Sequence, residues 1–184
     1  MGSSSFQYIF SLFLLTLLLF FCSTSAAADL IGSTACFACH DAAETRWPKN
    51  PHAATKNGCE DCHGPGSAHQ ETMDKKEIIN PGKIDGERQT ALCGRCHFQN
   101  EGFSRKLWEK GTHAQSGIYC LNCHAPHRSD QAKLLTKSKV NNVCYSCHAD
   151  KKKSFTKGAH GLSNLNCTDC HSPHGTTQEY LLRA

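Results

Sequence analysis

Twelve of the thirteen cysteines in this 184-residue chain fall into six Cys-x-x-Cys-His units, and no other feature constrains the fold as much. The units are Cys36/Cys39/His40, Cys59/Cys62/His63, Cys93/Cys96/His97, Cys120/Cys123/His124, Cys144/Cys147/His148 and Cys167/Cys170/His171. Only Cys22 stands outside them. Two thiols separated by two residues can each add to one vinyl group of a porphyrin, and the His after the second thiol reaches the iron from one face. Zinc knuckles also use Cys-x-x-Cys pairs, but they need no His after every second Cys. A disulfide framework would leave six histidines without a role. The motifs therefore predict six covalently bound haem c groups.

The chain has twelve histidines, and six lie outside the motifs: His52, His69, His113, His127, His160 and His174. Six irons closed by two imidazoles each need that number of further ligands. Register supports the assignment, because the chain is a threefold repeat of a two-motif module, a periodicity that says more about architecture than any local propensity. His52, His113 and His160 each stand seven residues before the first Cys of their module's second motif, with Trp47, Trp108 and Phe155 five residues earlier. After the second motif comes His69 in Cys-His-Gly-Pro-Gly-Ser-Ala-His, and His127 and His174 in the tighter Cys-His-x-Pro-His. Leu134-Leu135 and Leu181-Leu182 close modules two and three, with Ile78-Ile79 in a similar place in module one. His127 lies too near His124 in sequence to loop round one porphyrin. It, and His174 likewise, are expected to ligate a neighbouring haem.

The first 28 residues carry no Asp, Glu, Lys or Arg, are apolar from Ile9 to Phe21 apart from Ser11 and Thr16, and end in Ala26-Ala27-Ala28. That pattern predicts a secretory signal peptide over 1–28, with an uncleaved membrane anchor as the alternative. Residues 29–184 are then a hexahaem domain, with modules at approximately 33–85, 86–138 and 139–184. No segment alternates apolar and polar residues long enough for a convincing strand. Short helices are expected at Asp41–Trp47, Phe103–Lys110 and Asp150–Lys157, with Gly and Pro punctuating the rest. The expected fold class is mainly irregular with short α-helices, a multihaem cytochrome c fold built around a chain of haems, without substantial β-sheet. The formal charge of +4 falls to about −2 once haem propionates and ferric centres are added, so basicity does not argue for nucleic acid.

Gly32-Ser33-Thr34-Ala35-Cys36-Phe37-Ala38-Cys39-His40, Trp47-x4-His52 and Cys59-Glu60-Asp61-Cys62-His63-Gly64-Pro65-Gly66-Ser67-Ala68-His69 together resemble the periplasmic decahaem cytochromes of the MtrA/DmsE type. The later Cys-His-x-Pro-His units are similar to the doubled motifs of the same group. The resemblance implies bis-His haems in a row, a periplasmic location with outer-membrane association or an extracellular position beyond it, and insertion into an outer-membrane β-barrel. The departure is six motifs rather than ten. From the ligands, the expected function is electron transfer between redox proteins with no substrate chemistry: two imidazoles leave no open iron, and Met73 is the sole Met beyond the signal. The alternatives are a reductase of nitrite, hydroxylamine or sulfur oxyanions, and a subunit of an extracellular haem filament, with other multihaem cytochromes as partners.

Overall fold

A computed structural model describes residues 28–100, 103–128 and 130–183. The expected signal peptide, and Cys22 within it, lie outside the described residues except for Ala28. Among the described residues twelve short helices follow one another: α1 (Ser33–Phe37), α2 (Asp41–Arg46), α3 (Glu60–His63), α4 (Ser67–Thr72), α5 (Gly86–His97), α6 (Arg105–Lys110), α7 (Thr112–Gln115), α8 (Cys120–Cys123), α9 (Val140–Tyr145), α10 (Ala149–Lys157), α11 (Ala159–Leu162) and α12 (Cys167–Cys170). Among the described residues there is no sheet, only the isolated antiparallel bridges His124–Leu135 and His171–Leu182. No described helix is long and apolar enough to cross a membrane.

Local chemistry accounts for most of these elements. Asp85 caps α5 by accepting from the Arg88 amide at 2.8 Å, and Ser104 caps α6 by accepting from that of Leu107 at 3.3 Å. The single turns α8 and α12 are closed by the side chains of Asn122 and Asp169, which accept from the amides of Tyr119 and Asn166. In α10, Asp150 sits in the first turn and Lys157 in the last, the order that the helix dipole favours. One helical turn brings residues i and i+3 onto one face, so a Cys-x-x-Cys turn points both thiols the same way.

Few apolar side chains are buried. The buried apolar residues among those described are Trp108, at 5% exposure, and Leu134, at 8%. Leu162 and Tyr180 are left about four-fifths exposed, at 79% and 81%. A chain of this length normally buries an apolar core many residues strong. Here the polypeptide forms short struts that carry the motifs.

Each later module ends in a backbone clasp. The chain returns past its second motif, with the Ala125 amide donating to the Leu134 carbonyl at 2.6 Å and that of Thr136 to the Cys123 carbonyl at 2.9 Å. Module three repeats this from Ser172 to Leu181 and from Arg183 to Cys170, at 2.6 and 2.8 Å. The return requires two successive left-handed residues in each case: Lys133 and Leu134 at φ 54° and 52°, Tyr180 and Leu181 both at φ 55°. Side-chain residues in that region cost of order 1–3 kcal/mol each and persist where surrounding contacts enforce them.

Candidate haem centres

The strained returns present carbonyl oxygens to histidines. Nδ1 of His124 lies 2.9 Å from the Lys133 carbonyl, and Nδ1 of His171 lies 2.8 Å from that of Tyr180. In module one, Ile79 does the same for His63 at 2.8 Å. The Leu-Leu and Ile-Ile repeats of the sequence thus mark the segments that orient the second-motif histidines. Outside the motifs, His69 Nδ1 meets the Asp74 carbonyl at 2.9 Å and His113 Nδ1 meets the Pro173 carbonyl at 3.1 Å. The His52 ring lies beside the Pro126 backbone. An Nδ1–H donated to a carbonyl fixes the tautomer and leaves Nε2 free to bind a metal.

The imidazoles come together in pairs. Ring centroids lie 6.4 Å apart for His40 and His69, 6.0 Å for His52 and His97, and 5.8 Å for His63 and His127. They lie 6.3 Å apart for His113 and His148, and 5.9 Å for His124 and His174. Every pair joins one motif His to one His outside the motifs. Two imidazoles on opposite sides of one iron, with metal–nitrogen bonds of about 2 Å, place their centroids roughly 6.3 Å apart. Direct ring stacking needs no such gap, so the donor set fits an axially ligated haem. Among the described residues no group of three or more His, Cys, Asp or Glu converges as a closed zinc site would.

Four of these pairs cross a module boundary. His52 and His113 reach forward to the first motif of the next module. His127 and His174 reach back to the second motif of the preceding one. The carbonyls of Pro126 and Pro173 steady the forward histidines, so the proline in Cys-His-x-Pro-His belongs to the joint between modules. Asn50, only 4% exposed, strengthens the first joint by donating its amide to the Pro126 carbonyl at 2.6 Å. At the second joint Gly111 and Gly175 replace side chains with close backbone. Gly175 sits at φ 107°, and a Cβ there would strike the Leu107 carbonyl. His40 and His69, by contrast, both lie in module one.

Their surroundings favour the neutral form, the one that ligates, at three of these histidines. Burial, with His124 and His97 beside it, holds His174 down to about 4. Burial also lowers His52, helped by His97, and His127, helped by His63. The thiols of neighbouring motifs lie close together as well: Cys36 near Cys59, Cys93 near Cys120, and Cys144 near Cys167. Cys62 lies near Cys93 and Cys96, and Cys123 near Cys147. The six attachment sites therefore follow one another in space in their order along the chain. Burial pushes Cys36 and Cys144 up to about 11, which leaves little thiolate for vinyl addition once the chain has folded. Tyr145, inside the fifth motif, buries its hydroxyl without a protein partner.

Comparison with known proteins agrees with this chemistry. The family described as "Doubled CXXCH motif" matches residues 113–153 and 160–184. The chain is 32% identical over 134 residues to the multiheme cytochrome MtrA of Shewanella baltica (strain OS185), a match covering 66% of this chain and 39% of that protein. It is 33% identical over 64 residues to cytochrome c-552 of Desulfotalea psychrophila (strain LSv54 / DSM 12343), covering 31% of this chain and 12% of that protein. The chain is a multihaem c-type cytochrome. It binds haem and is distantly related to MtrA. Its fold of short helices and irregular segments is the expected one.

Sequence reasoning found the motifs, the repeat and the histidines outside the motifs. It missed Asn50, the proline carbonyls and Glu60. Glu60 lies between the second-motif cysteines and is 5% exposed, and its carboxylate accepts from the amides of Ile31, Gly32 and Gly66 at 2.9, 2.8 and 2.9 Å. Burial pushes its pKa up, but these three bonds outweigh that and hold it below the ordinary value. A carboxylate between two cysteines was the available signal, since modules two and three carry Leu121 and Thr168 there.

Proposed function

We propose that this cytochrome carries six haem c groups and conducts electrons along them in motif order, without substrate turnover of its own. The observation that carries the reading is the set of five imidazole pairs, each joining a motif His to a His outside the motifs. On this reading His40/His69, His63/His127, His97/His52, His124/His174 and His148/His113 are the axial ligands of the first five irons. His171 and His160 are the imidazoles left for the sixth. Cys36, Cys39, Cys59, Cys62, Cys93, Cys96, Cys120, Cys123, Cys144, Cys147, Cys167 and Cys170 form the thioethers. The group supplies a one-electron iron centre, and the protein supplies low-potential all-His ligation, spacing and shielding.

The location follows from the resemblance and from the apolar leader: export with cleavage after Ala28, then relay through the periplasm between redox proteins and towards the outer membrane, where a β-barrel protein is the proposed partner. Three modules at approximately 33–85, 86–138 and 139–184 form one row. A compact domain of this size has a radius of gyration of roughly 15 Å, and a row of modules exceeds it. The apolar band of an outer-membrane barrel is about 25 Å tall, a span that six attachment sites in line can match.

The test is the denatured mass of protein made in a host with a cytochrome c maturation system. Six haem masses on a chain beginning at residue 29 are expected. Haem that extracts into acid-acetone, or bound zinc, contradicts the reading. For the partner, co-reconstitution in liposomes is expected to let an external acceptor oxidise an internal dye. A globular scattering profile with no transmembrane flow leaves a periplasmic shuttle instead.

A further inference from the structure

A fixed charge lies inside module one. Among the described residues Glu60 is the one charged side chain that is buried, at 5% exposure. The amides of Ile31, Gly32 and Gly66 donate to its carboxylate and hold it as the anion. It stands between Cys59 and Cys62, and it is near enough to Cys36 to help burial and Cys59 push that thiol up. The anion therefore sits where the first two attachment sites meet. The corresponding places in modules two and three, where Cys93 nears Cys120 and Cys144 nears Cys167, hold no buried charge among the described residues. Arg95 and Asp169, the charged residues inside later motifs, are exposed, so water and salt screen them. Charge along the chain runs the same way. Residues 29–85 hold nine acidic and six basic side chains, net −3, against net +4 for 86–138 and +3 for 139–184.

We infer that Glu60 makes module one the low-potential pair of haems, its buried negative charge favouring the ferric state of the first two irons, so that electrons there pass readily to modules two and three. This rests on the six-haem reading. Reduction removes one positive charge from the centre, and a nearby anion opposes that. A buried unit charge about 10 Å from a redox centre, at an effective dielectric constant of about 20, shifts the reduction equilibrium roughly tenfold. Haem charge is the same in every module, so the difference between modules comes from the polypeptide.

The experiment is a redox titration of the intact holo-protein near neutral pH, resolved haem by haem in the NMR methyl signals and preceded by a mass determination. In the unmodified chain the two haems of module one are expected to have the lowest potentials. Glu60→Gln is expected to raise both by roughly tenfold in the equilibrium, about 59 mV for one electron, and to leave the other four in place. Loosening of the strap acts with the opposite sign, because water reaching a haem favours the ferric state and lowers its potential. Ser67→Ala, which removes the acceptor of the Asp29 amide but keeps the charge, is therefore expected to raise neither haem. Asp169→Asn, which removes an exposed anion, is expected to move its haem less than about twofold. Six haem masses with module one not lowest in the unmodified chain overturn the inference, even if Glu60→Gln fails to mature. Potentials that stay or fall in Glu60→Gln overturn it as well, as does an equal rise in Ser67→Ala. Fewer than six haem masses in the unmodified chain defeats the underlying reading instead, so the two failures are distinguishable.

Discussion

The two ends of the row are built differently. At the N-terminal end the strap Asp29–Gly32 is tied down by Glu60, and Ser67 exchanges hydrogen bonds with Asp29. His69 folds back onto His40 within its own module. At the C-terminal end the clasp at Tyr180–Leu181 orients His171, but His160 rests on a phenyl ring in water. Here the longer Cys-His-Gly-Pro-Gly-Ser-Ala-His spacing gives three extra residues of reach, and the His69 imidazole stays within its own module where His127 and His174 reach back to the preceding one. Module three keeps the short spacing, and its His174 is committed to module two.

Changes to the joints between these ends should cost most. Trp108 is buried beside Phe103 and His174 and donates to Thr90 at 3.3 Å, whereas its counterpart Phe155 is half-buried. Trp108→Ala is expected to lose about 3–4 kcal/mol of holo-protein stability, and Phe155→Ala about 1–2 kcal/mol, as read by thermal melts. Equal losses would erase the distinction between centre and end. Gly175→Ala should cost roughly 2 kcal/mol through its positive φ and the Leu107 carbonyl, and limited proteolysis should then separate module three from module two. An intact chain under protease would show that this joint is not the weak one.

Asn50→Ala leaves the Pro126 carbonyl without its amide donor in a buried place, an expected loss of about 1–3 kcal/mol that loosens His52. Its signature is a perturbed spectrum from one haem while five stay unchanged. The smallest effect is expected at Glu60. Its folded pKa is depressed below the ordinary 4.5, so its contribution is complete above that value and disappears as pH falls through the folded one. Acid should release residues 29–32 before it disturbs module three, and hydrogen exchange can follow this. Glu60→Gln should lose about 1–2 kcal/mol near neutral pH and abolish that acid step. A step that survives the substitution assigns the strap to another group.

How much of this was legible in the sequence differs by kind of feature. Covalent motifs and their register were plain, because attachment chemistry demands fixed residues at fixed spacing. The short helices at Asp41–Arg46, Arg105–Lys110 and Ala149–Lys157 were expected to within a residue or two. The longest helix among the described residues, Gly86–His97, was not, since Pro81-Gly82 read as punctuation just before it while the Asp85 cap went unweighed. The Leu-Leu pairs were visible as a pattern, but their purpose lies in backbone carbonyls, which no side chain encodes. Forward pairing of His52 and His113 was equally hidden, because it depends on where the next module sits. The three-residue step from His124 to His127 did carry a signal: it is too short to circle a porphyrin, and the His127 ring lies beside His63 of the preceding module.

The measurement that bears most directly on the account is an experimental structure of the haem-loaded protein, read for the two imidazoles on each iron. The account predicts that His113 and His148, and likewise His52 and His97, face each other across single irons at the joints. Finding His52 on the iron of His63, and His113 on that of His124, would contradict it.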